Sequence, residues 1–122
     1  MNVLLIVEDE ISLCKVLRDK LTREGFSVLE AKDGKEGLET ALVQHPDLIL
    51  LDIIMPVMDG MTMLTELRKD EWGKNAKVIF LTNLSEAEKI AESHTKGVYD
   101  YLVKSDWKLS DVVKKVRERL GS

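Results

Sequence analysis

The chain has 122 residues, with 18 Lys plus Arg, 22 Asp plus Glu and a net charge of −4. That is the length of one domain, and 44% hydrophobic with 33% charged residues is the composition of a globular protein with one ordinary core. The single cysteine, Cys14, excludes an internal disulfide framework and points to a reducing compartment. With only two histidines, a Cys/His zinc site is excluded too, and the acidic balance argues against direct nucleic-acid binding.

In chain order, Val3 to Val7 is an apolar run that meets Glu8-Asp9-Glu10 at once. It is too short for a signal-peptide core or a membrane span, so a cytoplasmic protein without a membrane anchor is expected. Ile11, Cys14, Leu17 and Leu21 then form a helical stripe that Gly25 stops. Phe26 to Leu29 is a weaker strand, suited to a sheet edge. Asp33 with Glu36 forms a capping box ahead of Leu38, Ala41 and Leu42. That second helix ends near His45, because Pro46 disfavours helical geometry before it. Leu48 to Leu51 is a buried strand, and Met63, Leu64 and Leu67 mark a third helix after Asp59-Gly60. Val78 to Leu81 is the fourth strand. Ser85 with Glu88 caps a fourth helix that Gly97 closes, Tyr99 to Val103 is the fifth strand, and Val112, Val113, Val116 and Leu120 mark a fifth helix with Ser110 as its N-cap.

Strand and helix thus alternate five times. Right-handed crossovers make this an α/β fold: a flavodoxin-like, doubly wound, five-stranded parallel sheet of order 2-1-3-4-5 with five helices. Ligands in such sheets bind beyond the carboxyl ends of the strands. The residues there are Glu8 and Asp9 after the first strand, Asp52 after the third, Thr82 after the fourth and Lys104 near the end of the fifth. An Asp after a strand, taken alone, caps a turn. Five polar groups at one end of a sheet form a constellation instead: three carboxylates, a hydroxyl and an ammonium. Close carboxylates repel, and a cation or proton relieves them. Hard oxygen ligands select Mg²⁺, or Mn²⁺, over zinc or copper.

At these residues the sequence resembles the receiver domain of bacterial two-component response regulators. The stretch from Asp52 to Gly60 matches the D-x-x-x-P-x-x-D-G loop of that family. Val7-Glu8-Asp9-Glu10, Leu81-Thr82 and Tyr101-Leu102-Val103-Lys104 add three further matches in order. The resemblance implies that residues 1–122 are a single receiver domain, with no output domain in this chain. It implies that Asp52 takes a phosphoryl group from a phosphohistidine on a sensor histidine kinase or histidine phosphotransfer protein. Glu8 and Asp9 would hold Mg²⁺ with Asp52 and the backbone carbonyl of Ile54. Lys104 would pair with the phosphoryl oxygens, Thr82 would hydrogen-bond them, and Tyr101 would be the aromatic switch. Output would pass through the fourth helix, fifth strand and fifth helix, roughly Ser85 to Leu120, to a downstream protein or a missing output domain. The chain would be a monomer or a phosphorylation-dependent homodimer. It would be a self-phosphorylating phosphoacceptor with autophosphatase activity rather than a turnover enzyme.

Two positions depart from the family pattern: Ser105 stands where proline usually follows the lysine, and Asn83 where a small residue usually follows the threonine. A non-phosphorylated pseudo-receiver that binds proteins is the alternative these departures keep open. A flavin or nucleotide enzyme lacks its glycine-rich phosphate loop here, and a haloacid-dehalogenase-type phosphatase lacks its second Asp, because that position is Ile54. Ile54 and Leu84 are apolar and flank the site, so a phosphorylated form that persists is expected. Cys14 reads as core packing, Trp72 and Trp107 as partly buried loop residues, and Arg117 and Arg119 as a solvated helix face or intersubunit ion pairs.

Overall fold

A computed structural model of the chain describes residues 2–82, 100–103 and 108–121. Its elements in order are β1 (Val3–Val7), α1 (Ile11–Arg23), β2 (Ser27–Ala31), α2 (Gly34–Gln44), β3 (Leu48–Asp52), α3 (Gly60–Leu67), a 3-10 turn (Gly73–Asn75), β4 (Val78–Thr82), β5 (Asp100–Val103) and α4 (Leu109–Leu120). The strands pair in parallel in the order β2-β1-β3-β4-β5. The helix expected from Ser85 to Gly97 lies outside the described residues, so α4 is the fifth helix of the sequence reading. Among the described residues no helix is long and apolar enough to cross a membrane.

The side-chain alternation of a strand divides the core in two. Leu5, Val7, Ile49, Leu51, Val78 and Phe80 face α2 and α3, where Ala41, Met63, Leu64 and Leu67 meet them. Leu4, Ile6, Leu48, Leu50, Ile79 and Leu81 face α1 and α4, where Cys14, Leu17, Leu21, Val112, Val113 and Val116 meet them. β1 and β3 are therefore apolar at nearly every position, as strands covered on both faces must be. Each fully buried Leu or Ile contributes about 1.5–3 kcal/mol relative to exposure.

Local chemistry sets the helix ends. Asp33 caps α2 by accepting from the Glu36 N–H at 2.8 Å, and His45 closes that helix in the left-handed region at φ 48°. The His45 ring stacks on Trp72, with centroids 4.3 Å apart and planes 7° apart. Gly25, at φ 97°, turns the chain out of α1.

Several expectations need correction. Ile11 sits on the apolar stripe of α1 but is 82% exposed, so the buried part of that stripe is Cys14, Leu17 and Leu21. β2 runs from Ser27 to Ala31 rather than from Phe26. Phe26 instead bonds back to the Leu21 carbonyl at 3.1 Å and packs into the core beneath α1 and α4. Ser110 is not the cap of α4. The N-cap is Lys108, whose N–H donates to the Asp111 carboxylate at 2.9 Å, so Ser110 falls within the first turn. Arg117 is not merely part of a solvated helix face, because it makes contacts within the chain. Its guanidinium lies over the Phe26 ring at 5.1 Å and bonds Glu24 through both carboxylate (3.1 Å) and carbonyl (3.2 Å). With Lys20 this holds the Glu24 carboxyl below its ordinary range and ties α4 to the end of α1.

Candidate functional site

The parallel order brings the carboxyl ends of β1 and β3 side by side, with Val7 in register with Leu51. Glu8 continues β1 by one bond, its N–H donating to Ala31 at 3.0 Å. Its carboxylate accepts the Glu10 N–H at 3.1 Å, which turns the chain into α1 and leaves Asp9 at the tip. Asp52 is the last residue of β3 rather than the first residue after it, paired with Leu81 of β4. Glu8 is 2% and Asp52 4% exposed, while Asp9 is exposed.

One carboxylate oxygen from each of Glu8, Asp9 and Asp52 lies within 4.8 Å of the other two. Three anionic groups at that spacing repel by about 3 kcal/mol per pair at an effective dielectric near 20. Burial of two of them adds to the cost of holding the charge. A proton or a cation relieves both. The donor set contains carboxylate oxygen and no thiolate or imidazole, so it suits a hard divalent ion such as Mg²⁺.

The loop after β3 frames this cluster. Ile53 is buried and accepts the Gly60 N–H at 2.7 Å, folding the loop back on itself. Met58 donates to the Pro56 carbonyl at 2.7 Å across Val57, which is held at φ 66°. That is a γ-turn with a β-branched residue in the left-handed region, a strained arrangement. Asp59 caps α3 by accepting the Thr62 N–H at 2.8 Å, and Met58 accepts the Gly34 N–H at 2.9 Å, which fastens the loop to α2. Ile54 is 57% and Val57 79% exposed beside the cluster.

In the sequence Gly60 closes the loop motif and precedes the third helix. Its role is steric. A Cβ there would overlap the Asp52 carbonyl oxygen and come to 3.0 Å from the Asp52 carbonyl carbon and Ile53 Cα. Thus α3 starts directly against the backbone that carries Asp52, and only glycine permits that approach.

Of the remaining predicted site residues, Thr82 is the last residue of β4, one step beyond the partner of Asp52, and its backbone pairs with Val103. Tyr101 lies in β5 in register with Phe80. Lys104, Asn83, Leu84, Ser105 and Trp107 lie outside the described residues. Cys14 is buried on the α1 side of Glu8, and burial together with the nearby Glu30 and Glu8 carboxylates pushes its thiol up to about 11.

Residues 4–117 match the response regulator receiver domain family. A probable transcriptional regulator, ycf27, of Cyanophora paradoxa is 37% identical over 101 residues, which cover 83% of this chain and 41% of that protein. The chain therefore spans about two-fifths of the length of that curated relative. A putative response regulator from Chloroflexus aurantiacus has a solved structure that superposes with a TM-score of 0.90 at 26% identity, over 99% of this chain and 98% of that one. The receiver domain of a sensor histidine kinase from Pseudomonas aeruginosa, solved with a magnesium ion coordinated in its active site cleft, gives a TM-score of 0.89 at 29% identity, over 99% and 98%. With its sheet order, its acidic cluster and nearly its whole length in agreement, this chain belongs to the response regulator receiver domain family.

Proposed function

We propose that this receiver is a phosphorylation-activated switch whose acceptor is Asp52. The observation that carries the reading is the cluster of three carboxylates within 4.8 Å, two of them buried, on the adjoining ends of β1 and β3. Asp52 attacks the phosphorus of a phosphohistidine on a sensor histidine kinase or histidine phosphotransfer protein. The N–P bond breaks as the Asp52 carboxylate O–P bond forms.

Glu8, Asp9 and Asp52, with the Ile54 carbonyl, hold Mg²⁺, and Mn²⁺ substitutes for it. When bound, the ion supplies positive charge against the phosphoryl oxygens. Lys104 pairs with those oxygens, and the Thr82 hydroxyl donates to them. Burial of Asp52 and Glu8 weakens the solvent screening of their own carboxylates, which strengthens their pull on a cation. Tyr101 answers the movement of Thr82. The signal leaves through the residues before β5, β5 itself and α4, toward a downstream protein or an output domain. The protein acts as a monomer or as a homodimer formed on phosphorylation.

Incubation with Mg²⁺ and acetyl phosphate, followed by intact-mass measurement, tests this reading. A gain of one phosphoryl group that Asp52→Asn abolishes supports it. An unchanged mass with every donor tried overturns it in favour of a protein-binding receiver that is not phosphorylated.

A further inference from the structure

Beside the acidic cluster, between α1, β2 and the start of α2, lies a cavity of about 290 Å³. Its floor is apolar. Cys14 and Ala31 are buried there, and Ile11 stands at the mouth with 82% of its surface exposed. The neutral thiol of Cys14 belongs to this apolar surface.

The charges around the rim are unevenly committed. Arg18 is taken up by Glu30 at 2.9 Å and Asp19 at 3.2 Å. Lys15 and Lys32 are exposed and have no ion-pair partner among the described residues. Glu36 lines the same rim, and Glu8 forms the end nearest the acidic cluster.

We propose that this cavity binds a small monocarboxylate with an apolar tail. The carboxylate meets Lys15 and Lys32, and the tail covers Ile11, Cys14 and Ala31. The volume, at the lower end for ligand pockets, admits a short aliphatic chain. A second negative charge on the ligand would face Glu8 and Glu36, so the class is monoanionic. Covering Ile11 removes apolar surface from water, which a purely ionic ligand would not do.

Octanoate is the probe. Titrated into ¹⁵N-labelled protein, it should give saturable amide shifts at Ile11, Cys14, Lys15, Ala31 and Lys32 and none along α4, with a Kd near or below about 1 mM. Neutral octanol should bind at least about fivefold more weakly, and Lys15→Glu with Lys32→Glu should weaken octanoate at least about tenfold. Both lysines are exposed, so the double variant should fold. The octanol comparison needs no variant at all. The proposal fails if shifts do not saturate by about 10 mM, if octanol binds as well as octanoate, or if the double variant binds octanoate unchanged.

Discussion

Replacing Gly60 with alanine tests how the fold positions the acceptor. The added Cβ would overlap the Asp52 carbonyl oxygen and stand 3.0 Å from two further backbone carbons. Ordinary carbon contacts lie at about 3.5–4.0 Å, so the carbonyl or the first turn of α3 must retreat by about an ångström. Neither can do so freely: Gly60 donates to Ile53 at 2.7 Å, and Asp52 is paired in the sheet with Leu81. Overpacking of this kind costs about 1–3 kcal/mol, and the better helix propensity of alanine offsets at most about 1 kcal/mol of it. The effect on chemistry should be larger. A misplacement of about 1 Å at a reacting group can cost about a hundredfold in rate. Urea unfolding should therefore show a loss of about 1–2 kcal/mol, while acetyl phosphate labelling slows by at least about tenfold. A Gly60→Ala protein within about 0.5 kcal/mol of the parent and within about twofold in labelling rate would refute the steric argument.

Val57→Gly should go the other way. It removes a β-branched residue from φ 66° at a site 79% exposed, and should raise stability by up to about 1 kcal/mol in urea unfolding. Asp9→Asn should weaken Mg²⁺ binding by at least about tenfold in calorimetry, since it takes one of three charges from the cluster. Cys14 links stability to alkaline pH. Its thiol is neutral in the fold up to about 11 but ionises from 9.0 when unfolded, so the unfolded state gains as pH rises. Stability should be flat below pH 9.0 from this group, fall between 9.0 and about 11, and level off above; Cys14→Ala should remove that part of the slope. The phosphorylated form should persist for minutes or longer, and Ile54→Ala should speed its decay at least about threefold by opening the acceptor to water. Emptying within seconds in the parent protein would contradict this.

The parts of the fold legible in the sequence were those with strong periodicity. β1 and β3 are continuous apolar runs because both of their faces are covered, and the helix stripes of α1 and α4 carry the spacing that buries Cys14, Leu17 and Leu21 or Val112, Val113 and Val116. The edge strand β2 starts one residue later than its apolar run, because Phe26 has the character of a strand residue but serves the core from the turn after α1. Likewise, Ser110 has the chemistry of a cap, yet the Asp111 carboxylate reaches the N–H of Lys108 and starts the helix earlier.

The acidic site was legible because its three carboxylates follow directly on apolar runs, and the sheet order alone makes those ends neighbours. The contacts that fix its shape were not. The bond from Gly34 to Met58 joins segments 24 residues apart, and the overlap at Gly60 and the γ-turn at Val57 are set by how the loop folds back on itself, which no periodicity records. The Arg117 clamp joins residues 93 positions apart and leaves no periodic trace.

The central claim is that Asp52 carries the phosphoryl group in a cation-dependent reaction. The most direct measurement is to label the protein with acetyl phosphate and Mg²⁺, reduce the acyl phosphate with borohydride, and sequence the peptides by mass spectrometry. The account predicts homoserine at position 52, lost when the divalent ion is chelated during labelling. Reduction at another carboxylate, or labelling that is indifferent to chelation, would contradict it.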